Sequence, residues 1–133
     1  MHVHPTAVRL AVRAKGVHGI ALVSDSISAT GLPDGDYDLE EQHVTVTDGA
    51  ARLSDGTLAG STLTLDRAVA NLARWADVQF TAAVASATAA PARLLGLEAE
   101  RGTIAVGRDA DLAAFDAEHR LLWTMVGGEV YRP

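Results

Sequence analysis

Apolar residues recur at helical intervals close to the start of the chain. Ala7, Leu10, Ala11 and Ala14 fall on one stripe, which predicts a helix over 6–15. Pro5 suits its first turn, where a missing N–H is no loss, and Gly16 suits its stop. The pattern then becomes a continuous apolar run, Ile20 to Val23, ended by Asp25. Such a run predicts a strand over 19–25 buried on both faces. Helix followed by buried strand is the order of a β/α unit with a parallel sheet. A turn-rich stretch covers 31–39, after which His43–Thr47 alternates and Asp-Gly pairs follow at Asp48-Gly49 and Asp55-Gly56. Short hairpins are therefore expected up to about residue 64.

Helical spacing returns with Leu65, Ala68, Val69, Leu72 and Ala76, and Thr64 is the candidate N-cap. A second helix is expected over 81–90, running to Pro91, with one further helical turn ending at Gly96. The last third reads as β again, with short strands within 102–116 and 121–131 and a two-residue hairpin turn at Gly127-Gly128.

A chain of 133 residues has the size of one domain and can bury a core. Only 5% of it is aromatic, so small and branched side chains must fill that core. The net charge of −6, without any Lys/Arg run, argues against nucleic acid as a partner. The absence of cysteine excludes disulfides, thiolate zinc sites and cysteine nucleophiles, and suits the cytoplasm. No apolar stretch reaches the roughly 18 residues of a membrane span, and the first residues lack the layout of a signal peptide.

Asp25 is the leading chemical candidate. A carboxylate at the end of a buried parallel strand stands where β/α barrels keep their catalytic groups, and it can relay a proton from water to a leaving nitrogen. The alternative is a helix cap or an ordinary loop aspartate. His2 and His4 form an H-x-H pair that on a strand would face one metal ion. Alternatively, one faces a pocket and the other lies near the surface. His18, His43 and His119 read as solvated side chains. Residues 57–62, Thr-Leu-Ala-Gly-Ser-Thr, are either a backbone cradle for an anion or sugar hydroxyl or a tight turn. Ser24 and Ser26 lack a histidine base, so no nucleophilic triad is formed. Trp75 and Trp123 read as core or interface residues.

Three segments carry a family resemblance. The stretch His2–Pro5 together with Ser24-Asp25-Ser26-Ile27-Ser28-Ala29-Thr30-Gly31-Leu32-Pro33-Asp34-Gly35 resembles the part of N-acetylglucosamine-6-phosphate deacetylases that holds their catalytic aspartate. Residues 55–72 resemble the same family's substrate-contacting loop and helix. Residues 91–97 and 102–116 are similar to the tail shared across the amidohydrolase superfamily. The resemblance implies that Asp25 is the catalytic acid/base. It also implies that His2 contacts the sugar phosphate, and that Leu58, Ala59 and Gly60 form the loop closing on substrate. Ser24 and Ser26 stand where the family usually has Thr and Ala. The position of His4 is not a metal ligand in the family.

The implied fold class is α/β: the C-terminal part of a (β/α)8 amidohydrolase barrel with short hairpins, plus the C-terminal strands of a small β-sandwich. Residues 1–97 would be the barrel portion, with a hairpin insertion at about 31–64, and 98–133 the sandwich strands. A whole barrel needs about 250 residues. The implied activity is hydrolysis of the acetamide of N-acetylglucosamine 6-phosphate, using a divalent metal such as zinc. The family's metal ligands, a glutamate and two histidines, lie upstream of the matching segment and have no counterpart here. This chain is therefore expected to bind no metal tightly and to be inactive alone. A non-catalytic binding or assembly role and a different amidohydrolase activity are the alternatives. The expected partners are a small amino-sugar phosphate and further copies of the chain, since a partial barrel exposes strand edges. Neither nucleic acid nor membrane is expected.

Overall fold

The structure, a computed structural model, describes residues 3–39 and 42–132. Helix α1 spans Pro5–Lys15. His4 caps it, its Nδ1 accepting the Thr6 N–H at 3.2 Å, and Pro5 occupies the first turn. Gly16, at φ 74°, ends it and donates its N–H to the Val12 carbonyl at 2.8 Å. Arg13 and Lys15 lie in the last turn, where positive charge complements the helix dipole.

The expected buried strand over 19–25 does not form. After a short 3-10 turn at Val17–Gly19 the chain runs extended but unladdered, and Val23 is 77% exposed. Its sheet-like contact is a single parallel bridge between Ser26 and Ser61. An apolar run becomes a doubly buried strand only when neighbours cover both faces, and the described residues supply no flanking parallel strand.

The hairpins form as expected, within the 31–64 stretch. Strands β1 (Gly35–Leu39), β2 (Gln42–Thr47), β3 (Ala50–Leu53) and β4 (Leu58–Ser61) make an antiparallel meander in chain order. Asp48 and Gly49, both at positive φ, close the β2–β3 turn. Alternation sends Val44 and Val46 inward onto Ala29 and Ala51, with Ile27, Tyr37 and Ala59 packed around them. Two readings change here: β1 occupies the turn-rich stretch, and Leu58–Ser61 is a strand rather than a tight turn.

Helix α2 spans Leu65–Ala76 and buries Ala68, Val69 and Leu72. Thr64 caps it by backbone position, without a side-chain bond. The single helix expected up to Pro91 is broken into α3 (Phe80–Ala85) and α4 (Ala89–Leu94). Proline explains the break. An unbroken helix would need a Pro91 N–H for the Ala87 carbonyl and would press the ring against it, whereas the restart at Ala89 puts Pro91 in a first turn. Buried Ser86 stands at the gap; its Oγ donates to the Val17 carbonyl at 2.9 Å, and its own carbonyl accepts the Leu22 N–H at 2.8 Å.

The second sheet is antiparallel: β5 (Leu112–Phe115), β6 (Leu121–Val126) and β7 (Glu129–Tyr131), with Gly127-Gly128 as the expected turn. No strand forms over 102–106, where Ile104 is 88% exposed. Phe80 of α3 meets this sheet, edge-on to Phe115 at 5.8 Å and stacked on His119 at 3.7 Å. His119 is thus a stacking partner rather than merely a solvated side chain. Among the described residues no helix is long and apolar enough to cross a membrane.

Candidate active site at Asp25

Asp25 sits where the extended segment after α1 crosses the end of β4. Its φ is 52°, a left-handed conformation uncommon for a residue with a side chain. Its carbonyl accepts the Ser61 N–H at 2.8 Å, and the Ser61 carbonyl accepts the Ile27 N–H at 2.9 Å. Gly60, at φ +98°, faces this crossing. A Cβ there would lie 2.6 Å from Ile27 Cγ2 and 3.2 Å from the Asp25 carbonyl oxygen, so the close approach requires glycine.

The structure therefore joins two sequence-predicted features, Asp25 and the Leu58-Ala59-Gly60 segment. Leu58 is 40% exposed, while Ala59 packs against the core of the first sheet. The Asp25 residue is exposed. His2 lies outside the described residues. Ser61 lies inside the 57–62 stretch marked in the sequence but is not singled out within it; it is a buried polar residue whose amide, carbonyl and hydroxyl are all engaged at the crossing. Ser26 also contributes, its Oγ donating to the Leu63 carbonyl at 2.9 Å.

The remaining histidines stand apart. His43 Nδ1 lies 2.9 Å from Asp38 Oδ1 across β1–β2, and its Nε2 3.7 Å from Asp36. The hydrogen bond to Asp38 raises its pKa above the ordinary histidine value, with the charges of Asp38 and Asp36 adding to it. A groove of about 810 Å³ lies elsewhere, between α2, α4 and the second sheet, with Leu65, Val69, Pro91, Leu112 and Phe115 on its walls. It does not include Asp25.

The amidohydrolase family model matches residues 1–131. The chain belongs to the amidohydrolase family. It is 40% identical over 129 residues to the N-acetylglucosamine-6-phosphate deacetylase of Vibrio furnissii, covering 97% of this chain and 32% of that protein. It is 37% identical over 116 residues to the N-acetylgalactosamine-6-phosphate deacetylase of Escherichia coli O157:H7, covering 87% and 30%. Among solved structures it superposes on the N-acetylglucosamine-6-phosphate deacetylase of Thermotoga maritima with a TM-score of 0.90 at 40% identity, covering 100% of this chain and 37% of that one. The chain thus spans about a third of the length of these relatives. Its α/β content with two antiparallel sheets is consistent with part of the amidohydrolase fold.

Among the described residues of this amidohydrolase chain the possible donors do not form a closed metal site. His4 uses Nδ1 to cap α1. Among the described residues no three His, Asp or Glu side chains come together as ligands.

Proposed function

We propose that this chain is the acid/base-bearing C-terminal portion of an N-acetylglucosamine-6-phosphate deacetylase-like hydrolase. The observation that carries the proposal is the junction of Asp25, in its left-handed turn, with Gly60 and Ser61 of β4. Its support from relatives is sequence identity across nearly the whole chain to enzymes named for this deacetylation. Residues 1–97 form the barrel portion and 98–133 the sandwich strands.

In this reading Asp25 takes a proton from the attacking water and delivers it to the amide nitrogen as the C–N bond breaks, yielding an amine and acetate. Leu58, Ala59 and Gly60 close on the sugar, and His2 contacts its phosphate. The family's metal donors have no counterpart in this chain, so it is inactive alone. It also associates, with copies of itself or with a chain that supplies the donors. Exposed Leu94, Leu95 and Ile104 support association, at 77%, 70% and 88% exposure.

The test is release of acetate from N-acetylglucosamine 6-phosphate by the purified chain, with and without zinc, alongside metal analysis. The expected result is neither turnover nor stoichiometric metal. Turnover would overturn the inference that the chain alone is inactive for lack of metal donors. Running the N-acetylgalactosamine epimer in parallel on any active assembly tests the second reading, which the Escherichia coli relative favours.

A further inference from the structure

Two serine hydroxyls join the Asp25 turn to the start of α2. Ser26 Oγ donates to the carbonyl of Leu63 at 2.9 Å. Ser61 Oγ accepts the N–H of the same Leu63, also at 2.9 Å. Both main-chain polar groups of Leu63 are thus held by side chains, one from each segment meeting at the Ser26–Ser61 bridge. Thr30 Oγ1 adds a bond to the Ser61 carbonyl at 3.2 Å. Asp25 lies inside this lattice with its carbonyl on the Ser61 N–H. Aspartate tolerates a left-handed φ better than most residues with side chains, and these bonds fix the segments on either side of the turn.

We propose that Ser26 and Ser61 are positioning residues that hold the Asp25 turn against the end of β4. The proposal takes its functional meaning from the acid/base reading of Asp25. Ser61 is buried and links both segments through its backbone, whereas Ser26 is exposed and contributes through its hydroxyl. Ser26 is therefore the cleaner position to perturb.

The experiment is residue-resolved amide hydrogen exchange on the full 133-residue chain. Ser26→Ala is expected to speed exchange of the Ser61 amide about fivefold, the effect of one lost hydrogen bond, and to shift the Asp25 amide resonance. Amides of β2 keep their rates, because the opening is local. Ser26→Thr, which restores the hydroxyl, returns both readouts to those of the parent. Ser61→Ala is expected to speed Ser61 exchange in the same way. Unchanged Ser61 exchange in both alanine variants would overturn the proposal. So would an equal rise throughout β2, or failure of threonine to rescue. Exchange is read without substrate, so a failed deacetylase assay leaves this result standing, and the two readings fail separately.

Discussion

Replacing Gly60 with alanine adds one methyl group at the close approach beside Asp25. The new Cβ would lie 2.6 Å from Ile27 Cγ2 and 3.2 Å from the Asp25 carbonyl oxygen, at a φ of +98°. The backbone conformation alone costs about 1–3 kcal/mol for a residue with a side chain. Relieving the contact displaces Ile27, which packs on the core of the first sheet, at a cost of about 1–3 kcal/mol. The stiffer unfolded chain offsets about 0.5 kcal/mol. A net loss of about 1.5–5.5 kcal/mol is expected. With a slope of about 2 kcal/mol/M, the urea midpoint falls by about 1–3 M. Equilibrium unfolding of Gly60→Ala, Ile27→Ala and the double variant tests the cause. Ile27→Ala removes the obstructing methyl, so the cost of Gly60→Ala should shrink by about 1 kcal/mol or more in that background. Strict additivity, or a single-variant loss below about 0.5 kcal/mol, would refute the steric argument.

Asp25→Gly should leave stability unchanged or raise it by about 1 kcal/mol, because glycine tolerates the left-handed backbone; in an active assembly it should abolish turnover, and a clear loss of stability would argue for a structural aspartate instead. Ser86→Ala removes one of the two hydrogen bonds on the Val17 carbonyl, which keeps the Ile20 N–H at 3.3 Å, and should cost about 0.5–1.5 kcal/mol in urea unfolding. His43 has a folded pKa raised above its unfolded value, chiefly by Asp38, so its stabilising effect is fully present below the unfolded pKa of about 6.5 and is lost as pH rises through the folded value. Urea midpoints of the parent and His43→Gln should therefore converge at high pH and separate in acid; a constant gap would contradict the pairing.

Features set by neighbours in the chain were legible in the sequence. Pro5 and Gly16 bracket α1 because helix ends are decided by one or two residues, and the Gly127-Gly128 turn is equally local. The alternation of Val44 and Val46 placed β2 correctly, since a strand inside a meander finds its partners nearby. The run Ile20–Val23 misled because apolar residues record a demand for burial without naming what covers them. Pro91 carried its own warning, as its missing N–H forbids a helix running through it. The meeting of Asp25 with Gly60 left no periodic trace; the family resemblance named both residues separately, without the contact between them. The Phe80–His119 stack could not be foreseen either, because it depends on packing between distant segments.

The meander has a consequence for the order in which the molecule assembles. Each pairing in β1–β4 joins consecutive strands, so the loops to be closed are short and pairing should be fast. The Ser26–Ser61 bridge instead closes a loop that encloses the whole meander, and its loop-closure entropy falls only after the strands inside are in place. Asp25 is thus predicted to dock late. Substitutions at the bridge should then accelerate unfolding while leaving the refolding rate nearly untouched, the kinetic signature of contacts absent from the transition state.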